Sequence, residues 1–276
     1  MVDYQISISR ACKICRLSQS SYYYKHKKRL DPEIKLKLLQ LAKEHSRWGF
    51  DKMYSQIRKQ GYVWNHKRVY RVYRELKLNL RIKPKKRIPA REKNSLIWPI
   101  KPNVCWSLDF MSDALISGEK FRTLNVIDDY NRGVLDIGIG ISLPTIKVIN
   151  FLDRIAKIRG YPISIRTDNG PEFLSKLFTQ WAKKHKIKLK YIQPGKPAQN
   201  GYIERFNRTY REEVLDIYLF DSIREVQKIT REWIHIYNNE RPHKSLANMT
   251  PHEFAQRSWG FAPNPRIFMD KNYDVK

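Results

Sequence analysis

Three carboxylates occupy positions from which they can do chemistry. Asp109 lies in the strand-like stretch Val104 to Phe110, where residues 105, 107, 109 and 111 project to one face and 104, 106, 108 and 110 to the other. It therefore opposes Trp106, Leu108 and Phe110, and an acid in so apolar a strand is expensive to bury unless it is paired or binds a cation. Asp168 follows the short strand around Ile163 to Arg166 and precedes Asn169-Gly170. That is a strand's carboxyl end, where α/β sheets bind ligands. Glu204 lies in a helical stretch whose core stripe is Ile203, Phe206, Tyr210 and Val214. Arg208 and Arg211 follow it at i+4 and i+7 on the neighbouring face. Hard divalent cations prefer oxygen ligands, and Mg²⁺ takes a few carboxylates and completes its shell with water and phosphate. Ions held this way promote phosphoryl transfer by activating the attacking oxygen and stabilising the leaving one. Taken singly, each acid also has an ordinary structural explanation. Asp109 can pair with a cation, Asp168 can cap a turn, and Glu204 can pair with Arg208.

The elements around these acids read as α/β. Strand-like stretches Val104 to Phe110, Phe121 to Ile127 and Val134 to Ile141 come first, with Gly118 marking a hairpin between the first two. A helix over Thr145 to Arg159, a short strand over Ile163 to Arg166, a helix over Glu172 to Lys186 and a fifth strand over Lys188 to Ile192 follow. A Pro/Gly loop over Gln193 to Gln199 leads into helices over Gly201 to Leu215 and Ser222 to Asn238. This order predicts a mixed five-stranded sheet. The first third is helical instead. Short helices over Ser9 to Ile14 and from Ser18 through Tyr24 flank a turn at Leu17-Ser18. Longer helices follow, beginning at Asp31-Pro32 with Asp31 as N-cap, then around Asp51 to Lys59 and over Lys67 to Leu76. In the last of these, Val69, Val72, Tyr73 and Leu76 form an apolar face, and Lys67, Arg68, Arg71 and Arg74 lie around the other. Helix, turn, helix is the arrangement that presents a helix to the major groove.

Charge points the same way. The 276 residues carry 54 Lys and Arg against 27 Asp and Glu, a net charge of +27, and the pI is near 10.0. Residues 1–100 hold 26 cations and 7 acids, including the runs KHKKR (25–29) and RIKPKKR (81–87). Such clustering favours a polyanionic partner, and each cation that neutralises a phosphate adds salt-dependent affinity. No run reaches the roughly 18 apolar residues of a membrane span, and the start has no apolar signal-peptide core. Three cysteines suit a reducing compartment rather than a disulfide framework. Composition thus excludes secreted, membrane and collagen-like classes, but not a passive DNA binder.

Other residues are set aside. Asp128-Asp129 look like a metal pair, yet turn and hydrogen-bonding roles are expected. Cys12-x-x-Cys15 lacks the second pair that a zinc site needs. His243 suits either DNA contact or packing of the C-terminal segment. Tyr22, Tyr23 and Tyr24 suit stacking, phosphate contact or burial of one ring.

The words W-S-L-D-F (106–110), I-R-T-D-N-G-P-E-F (165–173) and Q-P-G-K-P-A-Q-N-G-Y-I-E-R-F-N-R (193–208) resemble the D,D(35)E signature, with 35 residues between Asp168 and Glu204. With W-G-F-D-K-M-Y-S-Q-I (48–57) and Y-N…R-P-H-K-S-L…T-P-H-E-F (237–254), the chain resembles the OrfB-type transposases of bacterial insertion sequences (the IS-three family), which share a catalytic core with retroviral integrases. The resemblance implies an RNase H-like core at 101–220 with a C-terminal helix and extension at 221–276. A helix-turn-helix-like segment (1–30), a second helical DNA-binding unit (31–78) and a basic linker (79–100) precede it. It further implies that Asp109, Asp168 and Glu204 bind two Mg²⁺ or Mn²⁺ ions, cut the element's 3′ ends and transfer the freed 3′-OH to another phosphodiester. A Lys or Arg commonly stands seven positions after the catalytic Glu in this family, which nominates Arg211 for a phosphate, against a surface pairing with Glu212 or Glu213. Arg208, Lys67, Arg68, Arg71 and Arg74 complete the expected DNA contacts. The implied partners are double-stranded DNA (terminal inverted repeats and target), further copies of the chain, and an upstream-frame protein or fusion, in the bacterial cytoplasm at the nucleoid. The rivals are a non-catalytic DNA-binding regulator, which leaves the spacing of the acids unexplained, and an RNase H-like nuclease that hydrolyses without joining.

Overall fold

The computed structural model describes residues 6–25, 31–80, 98–193 and 200–258. Most of the run KHKKR, the run RIKPKKR, most of the 79–100 linker, the Pro/Gly loop after Gln193 and the chain beyond residue 258 lie outside the described residues. The chain opens with two short helices, α1 (Ile8–Ile14) and α2 (Gln19–Tyr23), whose N-caps Ser7 and Ser18 accept backbone N–H groups. Helices α3 (Pro32–Glu44), α4 (Phe50–Lys59) and α5 (His66–Glu75) follow. Apolar residues at helical spacing bury against one another here: Ile34, Leu38 and Leu41, Met53 and Ile57, and Val69, Val72 and Tyr73.

Asp31 stands at the expected N-cap of α3 but makes no side-chain cap bond. Its buried carboxylate instead lies between Arg68 and Arg71. Burial alone would raise it, yet the two guanidiniums hold it below the ordinary carboxylate range. Two forked cations outcompete a single backbone N–H for the same oxygens.

The sheet comprises β1 (Cys105–Ala114), β2 (Lys120–Asp128), β3 (Val134–Gly140), β4 (Ser164–Thr167) and β5 (Lys188–Tyr191). Its order is β3-β2-β1-β4-β5. β1, β2 and β3 are antiparallel neighbours, and β4 and β5 run parallel to β1. Gly118, with φ +85°, makes the left-handed step of the β1–β2 hairpin. Helices α6 (Thr145–Arg159), α7 (Pro171–Leu174) and α8 (Lys176–Lys184) cover one face, packing Leu152, Phe173 and Phe178 against Trp106, Leu108 and Ile165. Helices α9 (Gly201–Tyr210) and α10 (Ile223–Asn239) cover the other, packing Phe206, Tyr210 and Trp233 against Phe121, Ile127 and Ile137. Both faces are therefore covered at this end, which is why β1 begins with four consecutive buried residues.

Two helices differ from the sequence expectation. The stretch Glu172 to Lys186 divides at Ser175, which is extended and caps α8 by accepting from Phe178 N–H. The stretch Gly201 to Leu215 stops being α-helical at Tyr210 and continues as a π-helical turn, Arg211–Leu215. The wider turn lets Val214 and Leu215 both reach the core while Glu213 stays beside α10.

The helical unit docks on this second layer. Lys52 of α4 reaches Glu213 at 3.4 Å, and Arg241 reaches the same carboxylate at 3.0 Å. Lys59 pairs at 2.6 Å with Glu253 of α11 (Pro251–Ser258), and Ile236 of α10 packs into the α3–α5 cluster. Burial and the neighbouring Arg241 charge lower Lys52 to about 8. Among the described residues no helix is long and apolar enough to cross a membrane.

Candidate active site

Asp109 lies midway along β1 on the face that α9 covers. Its Oδ1 accepts from the Phe110 N–H at 2.9 Å and its Oδ2 from Asn207 Nδ2 at 2.7 Å. Asn207 is three residues beyond Glu204, so one turn of α9 carries both. The Asn207 Oδ1 in turn accepts from Asn125 Nδ2 at 2.7 Å, and Asn125 is the residue of β2 directly across from Asp109. Burial pushes the Asp109 carboxyl up to about 6, and the negative charges of Asp168 and Glu204 add to that push, against the two hydrogen bonds.

Asp168 follows β4 and accepts the Gly170 N–H at 3.1 Å. A Cβ on Gly170 would stand 3.1 Å from that same oxygen, so a side chain there would press on the Asp168 carboxylate. Glu172 in the same loop is gripped by Arg122 of β2, whose guanidinium also lies over the Phe110 ring, 4.1 Å from its centroid. This contact ties the Asp168 loop to the two central strands. Glu204 is exposed on the first turn of α9.

Among the described residues none of the three acids forms an ion pair with any Lys or Arg. In a chain of net charge +27 that is a strong selection. Nor are they drawn into a closed cage: among the described residues no three His, Cys, Asp or Glu side chains stand close enough to enclose an ion. Asp109 is where the three meet electrostatically: the charges of Asp168 and Glu204 both act against its ionised form.

The other predicted site residues divide into two groups. Lys67 and Arg74 are exposed on α5, and Arg208 is exposed on α9. Arg68 and Arg71 face Asp31, with 46 % and 42 % of their side chains still exposed. Arg211 turns to β1: its guanidinium donates to Asp113 Oδ2 at 3.0 Å and to the Ser112 carbonyl at 2.8 Å, rather than to Glu212 or Glu213. Asp128 accepts the N–H groups of Asn103 and Tyr130. Asp129 accepts from Ser107 Oγ and pairs with Arg166, both at 2.6 Å. His243 is buried against Tyr237, Cys12 is buried and Cys15 exposed, and Tyr22, Tyr23 and Tyr24 are all exposed. Sequence reasoning missed Asn207, Asn125, Arg122 and Glu172. Only Asn207 left a signal, its i+3 spacing from Glu204.

Comparison with known proteins supplies the family. Residues 99–197 and 185–251 match models described as integrase core domain, and residues 29–86 match an HTH-like domain. The 31.7 kDa protein of insertion element IS407 from Burkholderia multivorans is 38 % identical over 266 residues, covering 96 % of both chains. The chain belongs to the OrfB-type transposases of bacterial insertion sequences. The transposase InsD of insertion element IS2 from Escherichia coli is a more distant relative, 23 % identical over 82 % of this chain and 79 % of its own. Among solved structures, the catalytic core domain of HTLV-2 integrase in complex with magnesium is similar at 18 % identity and a TM-score of 0.44, covering 56 % of this chain and 97 % of that one. In this transposase the two integrase-core stretches contain all three acids, and the HTH-like stretch contains α3, α4 and α5. This family acts on DNA, and here an integrase core carries an HTH-like helical unit docked upon it.

Proposed function

We propose that this transposase cuts the 3′ ends of its element and joins them to a second phosphodiester by a DDE mechanism, with Asp109, Asp168 and Glu204 as ligands for two Mg²⁺ or Mn²⁺ ions. The observation that carries this reading is the pairing pattern. The charges of Asp168 and Glu204 both bear on Asp109, and among the described residues none of the three acids pairs with a Lys or Arg. Oxygen donors of this kind fit a hard divalent ion, whose shell water and substrate phosphate complete. When bound, such ions activate the attacking oxygen and stabilise the leaving one.

The chain's own residues have the remaining tasks. The Phe110 N–H and Asn207 fix the Asp109 carboxylate, the Gly170 turn and the Arg122–Glu172 contact fix Asp168, and α9 carries Glu204. Arg208 lies exposed beyond Glu204 for the DNA backbone, and Arg211 holds α9 against the end of β1. Lys67 and Arg74, with the outward edges of Arg68 and Arg71, bind the terminal repeats. Copies of the chain, with an upstream-frame partner or fusion, bring two element ends together in the bacterial cytoplasm.

The test is strand joining by the full chain on duplexes carrying the element ends. Asp109→Asn, Asp168→Asn and Glu204→Gln should each abolish cleavage and joining, leave DNA binding nearly intact, and mimic addition of EDTA to wild type. Joined products separate this reading from a nuclease, which would give only nicked ends, and from a passive binder, which would give neither. Wild-type joining by Glu204→Gln overturns the assignment.

A further inference from the structure

The Asp109 carboxylate ends a hydrogen-bonded chain that reaches into the sheet, and its polarity is forced. An ionised carboxylate only accepts, so the Asn207 amide must present its nitrogen to Asp109 Oδ2. Its oxygen then faces β2, and Asn125 must present its own nitrogen there. The Asn125 Oδ1 is what remains. It is buried and has no hydrogen-bond partner among the described residues. Asn125 is itself fully buried in a strand whose neighbours at 124, 126 and 127 are Leu, Val and Ile. A branched aliphatic residue would fit the strand and remove that buried oxygen, at the cost only of the donor to Asn207 Oδ1. A buried polar group kept at such a cost calls for a reason beyond packing.

We propose that Asn125 and Asn207 form a positioning relay for Asp109: the buried amide of β2 orients the amide of α9, which locks one carboxylate oxygen so that the other lone pairs are presented to the divalent ion. This rests on the reading of Asp109 as a metal ligand. The relay also joins the two elements that must approach for the site to form, since Asn207 shares its helical turn with Glu204 while Asn125 and Asp109 are register partners. Asn125 and Asn207 are positioning residues, because each acts through another side chain. Partners that orient metal ligands typically matter by about 10- to 100-fold in metal affinity.

The test uses the full chain without DNA, with Mn²⁺ as the probe, titrated by calorimetry, alongside thermal melting in EDTA. Asn207→Ala should weaken Mn²⁺ binding about 10- to 100-fold. Asn125→Val should weaken it in the same direction while its metal-free melting temperature changes little, because loss of the orphaned Asn125 oxygen offsets loss of the donor to the half-buried Asn207 oxygen. A residue that merely supports the fold cannot lower metal affinity while leaving the metal-free fold as stable. Because the two act in series, Asn125→Val added to Asn207→Ala should cost no further affinity. Wild-type affinity in Asn125→Val, or additive losses in the double variant, overturns the relay. Asp109→Asn separates the two levels of the argument. If it too binds Mn²⁺ like wild type, the ligand assignment fails. If it loses the metal while the asparagine variants keep it, only the relay fails.

Discussion

Replacing Asp129 by alanine tests whether the adjacent pair Asp128-Asp129 holds the fold or the chemistry. The Asp129 side chain is fully buried, and one oxygen meets Arg166 at 2.6 Å while the other meets the Ser107 hydroxyl at the same distance. Arg166 has 11 % of its side chain exposed and stands on β4, two residues before Asp168. Asp129→Ala leaves that guanidinium in place with no counter-charge, and breaking a buried pair from one side costs about 3–5 kcal/mol. Against a total stability of about 5–15 kcal/mol this is a large fraction. At roughly 2–4 °C per kcal/mol for a chain of this size, the melting temperature should fall by about 6–20 °C. The measurement is thermal or urea unfolding of the full chain in EDTA, so that no divalent ion contributes. Adding Arg166→Met should recover much of the loss, because removing both charges removes the unpaired one. A loss below about 1 kcal/mol in Asp129→Ala, or no recovery in the double variant, refutes the structural assignment. An Asp129→Ala variant of unchanged metal-free stability but weakened Mn²⁺ binding would instead return the pair to the active site.

Two further outcomes are expected. Burial pushes the Asp128 carboxyl up to about 6, against an ordinary 3.8, so folding takes up a proton in that window and stability falls as pH rises through it, by about 3 kcal/mol for this group. Asp128→Asn removes this slope, so urea midpoints should show the variant gaining on wild type between about pH 4 and pH 7; an equal difference at both pH values contradicts the shift. Lys67→Ala and Arg74→Ala should each weaken binding to unrelated and element-end duplexes alike, and each should lower the logarithmic salt slope by about 0.9 if its cation neutralises one phosphate. An unchanged slope removes that residue from the DNA interface.

What the linear chain discloses follows from how far each interaction reaches. The stripe Ile203, Phe206, Tyr210 and Val214 repeats within one helix, and the alternation around Asp109 repeats within one strand, so both are legible as periodicity. The π-helical turn after Tyr210 has no periodic signature, because it depends on where Glu213 finds Lys52, Arg241 and Trp233. Asp31 reads as a cap because its local context is that of a cap, and only the folded α5 brings two arginines to outbid a backbone N–H. The Asp113 partner of Arg211, which the sequence offered to a phosphate or to Glu212 or Glu213, is hidden because β1 runs on beyond the Phe110 at which apolar alternation stops marking the strand.

The site shows the same division. Spacing along the chain identifies which acids to examine, but it carries no information on what orients them. Asn125 faces Asp109 only because the hairpin at Gly118 sets one particular register between β1 and β2. A slip of one residue would put Leu124 or Val126 there and turn the amide to the opposite face of the sheet. The register in turn is held by the two apolar layers, since that slip would also carry Phe121 and Ile127 out of contact with α9 and α10. The groups that orient Asp109 are therefore specified by the cores on both sides of the sheet: a substitution at Phe121 reaches the carboxylate through strand register, and one at Phe206 through the helix that carries Asn207.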